Sequence, residues 1–164
     1  MVLRINGTAT TNALREMQDW APVPALMTWA AGSTTYDAVV GFHAGGPDVQ
    51  VTTDLRGITL DLPFPLGKAA DAAWPLRYEV RRQQAHANSA ARDRVRVALA
   101  DRLALDYELD ATAQPARVLR GAVGVGPQAT RNLSLPASGV SAQLQLPLLD
   151  VDAWEALSAR MSSP

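Results

Sequence analysis

Histidines, carboxylates and glycine-rich loops are where catalysis or cofactor binding would first be sought in this chain. The two histidines are His43, beside a glycine turn, and His86, in a polar stretch. Neither has a metal-ligand partner at helical spacing, so both read as solvated surface. Gly124-Val125-Gly126-Pro127-Gln128-Ala129 fits the letters of a dinucleotide fingerprint after a strand. That chemistry needs a helix N-terminus directly behind the glycines, within a βαβ unit, to hold a pyrophosphate. Pro127 and the run from Asn132 to Pro136 offer no good apolar helix, so a loop is expected. Asp61, Asp71, Asp106, Asp110, Asp150 and Asp152 are scattered. Asp61 and Asp106 alternate with apolar neighbours and should face solvent, and Asp152 suits a helix cap. Lys68, after Gly67, reads as a solvated lysine whose functional alternative is contact with a phosphate. Asn132-Leu133-Ser134 is a glycosylation sequon by its letters alone. These residues converge on no reaction, and the expectation is a protein that is not an enzyme, with no cofactor and no metal.

Composition narrows the class further. The chain has 164 residues, 48% hydrophobic, with a formal net charge of −1. A basic face of the kind nucleic acid requires is not expected, so no nucleic-acid partner is either. With no cysteine, disulfides and thiolate chemistry drop out. No basic leader and no apolar run long enough for a membrane span is present, so an anchor, if the protein has one, would lie outside this stretch.

The elements that must position these residues centre on Val49 to Val80. Val49, Val51, Thr53 and Leu55 alternate, the parity flips at Arg56-Gly57, and Ile58, Leu60 and Leu62 carry the pattern onward. A bulge at Gly57 would absorb the flip. Pro63 and Pro65 end the strand, and Leu76, Tyr78 and Val80 resume alternation. Upstream, Leu3 and Ile5 make a short strand stopping at Asn6-Gly7. Thr10, Thr11 or Asn12 caps a helix with Leu14, Met17 and Ala21 on one face. After Pro22 and Pro24, a second helical turn from Ala25 to Ala31, with Leu26 and Trp29, stops at Gly32. Tyr36 to Phe42 is a strand, and His43–Asp48 turns it into a hairpin with the next. Downstream, Arg81 to Arg94 reads as a loop or helical turn. From Val95 to Leu109, helix spacing accounts for Val95, Leu99, Leu103 and Tyr107 only. Strict alternation adds Val97, Leu105 and Leu109, so a hairpin turning at Asp101-Arg102 is expected. Arg117–Val125 and Val140–Leu148 complete the strands. Asp152 with Glu155 has the form of a capping box for a closing helix that bears Trp154, Leu157 and Met161.

The sum is an α+β, mainly β, single module over residues 1–164. It is a curved antiparallel sheet of about six or seven strands with short helices near both ends. Roughly twenty large apolar side chains share one face, each worth about 1.5–3 kcal/mol when buried, and two short helices cover only part of it. A neighbouring module, a partner, sheet curvature or a ligand must cover the rest.

Asp54-Leu55-Arg56-Gly57, then Leu60-Asp61-Leu62-Pro63-Phe64-Pro65-Leu66-Gly67-Lys68 and Pro75-Leu76, resembles a signature of the YhdP branch of AsmA-like proteins. The stretches Gly7–Leu14, Arg120–Gly126 and Leu149–Trp154 are similar to the flanking elements of that family. The resemblance implies an internal segment of a long Gram-negative envelope protein, anchored in the inner membrane by a helix absent from this chain and exposed to the periplasm. It implies phospholipid transport toward the outer membrane along an apolar groove, with adjacent modules of the same chain as partners. Candidate groove-lining or core-facing residues are Leu55, Ile58, Leu60, Leu62, Tyr78, Val97, Leu105, Tyr107, Leu144 and Leu146. Gly57, Pro63, Pro65, Gly67 and Trp154 are the architectural candidates. The alternative is a structural module whose apolar face is an ordinary core and whose sheet edges stack on neighbours.

Overall fold

The computed structural model describes residues 1–16, 28–83 and 90–162. Its strands are β1 (Val2–Thr10), β2 (Ala30–His43), β3 (Gly46–Thr53), β4 (Ile58–Leu60), β5 (Leu76–Gln83), β6 (Arg92–Leu99), β7 (Leu103–Asp110), β8 (Arg117–Val125) and β9 (Gly139–Leu144). The helices are α1 (Thr11–Glu16), α2 (Pro127–Arg131) and α3 (Val151–Ser162). All nine strands belong to one sheet, ordered β1-β2-β3-β5-β6-β7-β8-β9, with β4 paired to the start of β2. Every pairing is antiparallel except β8 with β9.

The expected mainly β, antiparallel architecture is present, with more strands than the six or seven expected. One extra is β4, split from β3 where a single bulged strand was expected. β3 stops at Thr53, Leu55 and Gly57 take positive φ (55° and 93°), and Ile58 N–H donates back to Leu55 O at 3.2 Å. The parity flip at Gly57 is therefore a turn, and β4 leaves β3 to pair with Ala30–Gly32. That pairing also corrects the helical turn expected to end at Gly32, because Ala30, Ala31 and Gly32 are extended. β1 runs on through Asn6-Gly7, where the Tyr36 ring fills the space above the glycine.

The hairpin of β6 and β7 turns at Asp101-Arg102 with Leu99 opposite Leu103, as the alternation requires. β5 and β6 extend into the stretch read as a loop. β9 ends at Leu144, so Leu146 and Leu148 lie past the strand. Its parallel pairing depends on a crossover holding α2, although no βαβ unit was expected there. Thr10 Oγ1 accepts from Ala13 N–H and caps α1. The α3 cap is Asp150, whose Oδ1 accepts from Ala153 N–H at 3.0 Å, two residues before the expected Asp152. Asp152 sits inside the first turn, where its charge still favours the helix dipole. Met17, Ala21, Pro22, Pro24, Leu26, His86 and the Met161 side chain lie outside the described residues.

Candidate functional site

Strand parity places one residue type on each side of the sheet. Pairing across neighbouring strands aligns Leu3, Val40, Val49, Val80, Val95, Tyr107, Gly121 and Val140 in one row. A second row holds Ile5, Ala38, Val51, Tyr78, Val97, Leu105, Val123 and Ala142. A third runs through Thr53, Leu76, Leu99, Leu103, Val125 and Leu144. The face is apolar from margin to margin.

The third row is covered from Leu76 to Val125, while Leu144 at its margin is exposed. Leu66 and Trp74, both from the segment between β4 and β5, bury themselves on Leu99 and Leu103. Leu55, Leu60, Leu62, Leu105 and Trp154 pack around that cluster. The double-proline motif holds the cover down by its carbonyls. Pro63 O accepts from Leu66 N–H (3.0 Å), Phe64 O from Trp154 Nε1–H (3.1 Å), and Pro65 O from Arg102 Nη1 (3.1 Å). One tripeptide thus joins its own turn, α3 and the β6–β7 turn. Gly67 is required by contact: a Cβ there would stand 2.5 Å from Leu62 O.

The other two rows carry less cover. Tyr78, Val97 and Tyr107 are half-buried on the central strands. Exposure rises at the margins of the first row, to 48% at Leu3 on β1 and 58% at Val140 on β9. The structure therefore gathers Leu55, Leu60, Leu62 and Leu105 into the covered cluster and sets Tyr78, Val97 and Tyr107 on the less covered part. Ile58 is buried on the short β4, and Leu146 is half-buried beyond β9.

Lys68 is the largest departure from expectation. It is buried, not solvated, and its Nζ donates to Ile58 O (2.8 Å) and Ala69 O (2.9 Å). Burial pulls its ammonium below the usual lysine range, against the pull of Asp71 and Asp54. The lysine pins β4 to its return segment, which also pairs through Leu60 and Lys68. Trp74, Leu66 and Lys68 were not singled out for these roles; a bulky tryptophan stranded in an alanine-rich loop was the available signal.

The opposite face is charged. Asp106, expected to face solvent, is buried and takes a bidentate fork from Arg94 (2.9 and 2.7 Å). Glu108, 4% exposed, accepts from Arg120 Nε at 2.6 Å and lies 3.5 Å from Arg92 Nη1. The bond from Arg120 holds its carboxyl below the usual glutamate range, opposed by burial. A depressed folded pKa adds stability above the unfolded value, and that stability is lost as pH falls through the folded one. The urea midpoint of the wild type should therefore fall between about pH 5 and pH 3, and Glu108→Gln should flatten that slope. An unchanged slope would remove Glu108 from the acid response.

The fingerprint glycines are explained by packing. A Cβ on Gly124 would lie 2.6 Å from Ala129 O, and one on Gly126 would lie 2.0 Å from Gln145 O. Both serve close backbone contacts around α2. His43 is exposed, 3.6 Å from Asp48. No helix among the described residues is long and apolar enough to cross a membrane.

Fold and site together define a single-sheet β module with one apolar face, covered along one row by a proline-pinned loop. A family model described as YhdP protein matches residues 1–164, and the chain belongs to that family. No curated protein and no solved structure matches it.

Proposed function

We propose that the chain is a non-enzymatic module of a periplasmic, inner-membrane-anchored envelope protein, and that its apolar sheet face carries phospholipid acyl chains. Membership of the YhdP family is consistent with a lipid-transport role. The observation that carries the reading is the pair of apolar rows lying beside the covered one. Eight strands at about 4.8 Å spacing extend about 34 Å. One acyl chain spans about 15 Å, half of a hydrocarbon core of about 30 Å, so the face has length to spare. A continuous apolar strip of this kind is more than a solitary soluble domain leaves bare.

The structural alternative draws on the two margins. β1 and β9 are edge strands, and neighbouring modules could add to either. A photo-crosslinking residue at Val51 or Val97, with one at Arg96 on the charged face as control, separates the two readings in cells. Lipid adducts at Val51 and Val97 and none at Arg96 are expected. Adducts at Val97 to protein alone would sink the lipid reading and favour the structural one.

A further inference from the structure

Arg92, Arg94 and Arg96 stand at alternate positions of β6, all on the charged face of the sheet. Alternate residues of a strand are about 7 Å apart, so three permanent positive charges share one short stripe. Register adds a fourth, because Arg81 on β5 lies directly opposite Arg94. Like charges facing each other across two strands cost stability unless something neutralises them.

The carboxylates of this face neutralise only part of the stripe. Asp106 is taken by the Arg94 fork, and Arg96 Nε reaches the same carboxylate only at 3.5 Å. Glu108 already serves Arg120 and Arg92. Glu79, opposite Arg96, pairs with Arg77. Asp48 accepts from Arg82 N–H at 3.3 Å and lies 3.6 Å from His43. Among the described residues no carboxylate pairs with Arg81, which is exposed. Arg81, Arg94 and Arg96 line one open cleft of about 240 Å³, with Asp48, Glu79, Arg82 and Gln83 as its remaining walls.

We propose that this cleft binds a phosphomonoester group. A guanidinium stays charged throughout the physiological pH range and presents paired N–H groups that match phosphate oxygens. A carboxylate carries one charge and two oxygens, which a single fork exhausts. A phosphomonoester carries close to two negative charges and three strong acceptor oxygens. That is enough to serve Arg81, Arg96 and the Nη1 that lies outside the Arg94 fork. Asp48 and Glu79 offset part of the cleft's charge, so binding should be strongest at low ionic strength. The sheet separates this cleft from the apolar rows, and the inference stands apart from the lipid reading. A crosslinker at position 96 replaces one of these arginines and does not report on the cleft.

NMR titration of the full chain with glycerol 3-phosphate tests the site. Shifts should concentrate on the amides of residues 79–83 and 92–96. Succinate, a dianion without the tetrahedral group, should bind at least about fivefold more weakly, the factor one net hydrogen bond supplies. Arg81→Gln should weaken phosphate binding about tenfold, the loss of one charge-assisted hydrogen bond. Arg56→Gln, at an exposed arginine between β3 and β4, should leave it unaltered. Should Arg81→Gln fail to fold, Arg96→Gln carries the comparison. Flotation with phosphatidylcholine vesicles, with and without phosphatidic acid, separates the two sources of the group. Recruitment by phosphatidic acid that Arg81→Gln abolishes assigns it to a lipid headgroup. Recruitment absent or unaltered by that change, with glycerol 3-phosphate still bound by the wild type, assigns it to a soluble phosphomonoester. Equal binding of succinate, glycerol 3-phosphate binding undiminished by Arg81→Gln, or no binding of either anion would overturn the inference.

Discussion

Trp74→Ala is expected to lower the unfolding free energy by about 3–5 kcal/mol, the range for deleting a buried tryptophan. The residue is 8% exposed and sits on Leu99 and Leu103, and the Arg102 guanidinium stands 4.2 Å over its ring. Its backbone N–H donates to Asp54 O at 2.7 Å, so it also closes the loop that begins where β3 ends. Among the described residues no large side chain is fully buried, which makes the core thin and each member weighty. Against a total stability of about 5–15 kcal/mol, the loss threatens the fold itself. In urea the midpoint should drop by at least about 1 M, given slopes of about 1–3 kcal/mol/M. Hydrogen exchange should show residues 54–75 losing protection before β6 and β7. Trp74→Phe, which keeps a ring under Arg102, should recover a large part of the loss. A midpoint within about 0.3 M of wild type would mean that the loop is not anchored by this residue.

What periodicity could express, the sequence expressed well. β6 and β7 were legible because seven apolar residues fall on alternate positions, a pattern that an amphipathic helix cannot produce. The same parity, carried through β3, β5 and β8, assigns the apolar face of the sheet without any structure. Lys68 was not legible, since its burial depends on carbonyls of β4 and Ala69 folding around the ammonium. Asp106 misled for a similar reason. Its alternation with leucines places it correctly on the charged side of the sheet, but only the cross-strand register sets Arg94 against it and shields it from water. The parallel β8–β9 pairing was hidden because α2 has only five residues, too few to leave an apolar period. Trp154 and the two prolines were singled out, yet what they do together depends on a contact between residues 64 and 154, a long-range pairing that local pattern does not encode.

Gly57 does take the positive φ expected of it, but it also sits at a close backbone crossing, and the weight of the two requirements can be measured. A bulge glycine is needed for its positive φ, a conformation asparagine tolerates nearly as well. In the structure Gly57 has φ 93°, but the space matters more: a Cβ there would stand 2.1 Å from Ser33 O. The contact is reciprocal, since a Cβ on Gly32 would stand 2.0 Å from Gly57 O. The two backbones meet where Ser33 N–H donates to Gly57 O at 3.3 Å, while Gly57 N–H donates to Ala70 O at 2.7 Å. A side chain at either glycine must therefore push β4 away from β2 and break the bonds that dock the loop on the sheet. Gly57→Ala should cost about 3 kcal/mol or more, combining the φ strain with the lost crossing. Gly57→Asn is the discriminating variant. Were φ the whole requirement, asparagine would recover most of the stability, whereas a close crossing makes it as damaging as alanine, because the clash belongs to the Cβ that both residues share. Equal losses for the two variants in urea denaturation are expected, and a well-tolerated asparagine would return Gly57 to the role of a simple turn residue.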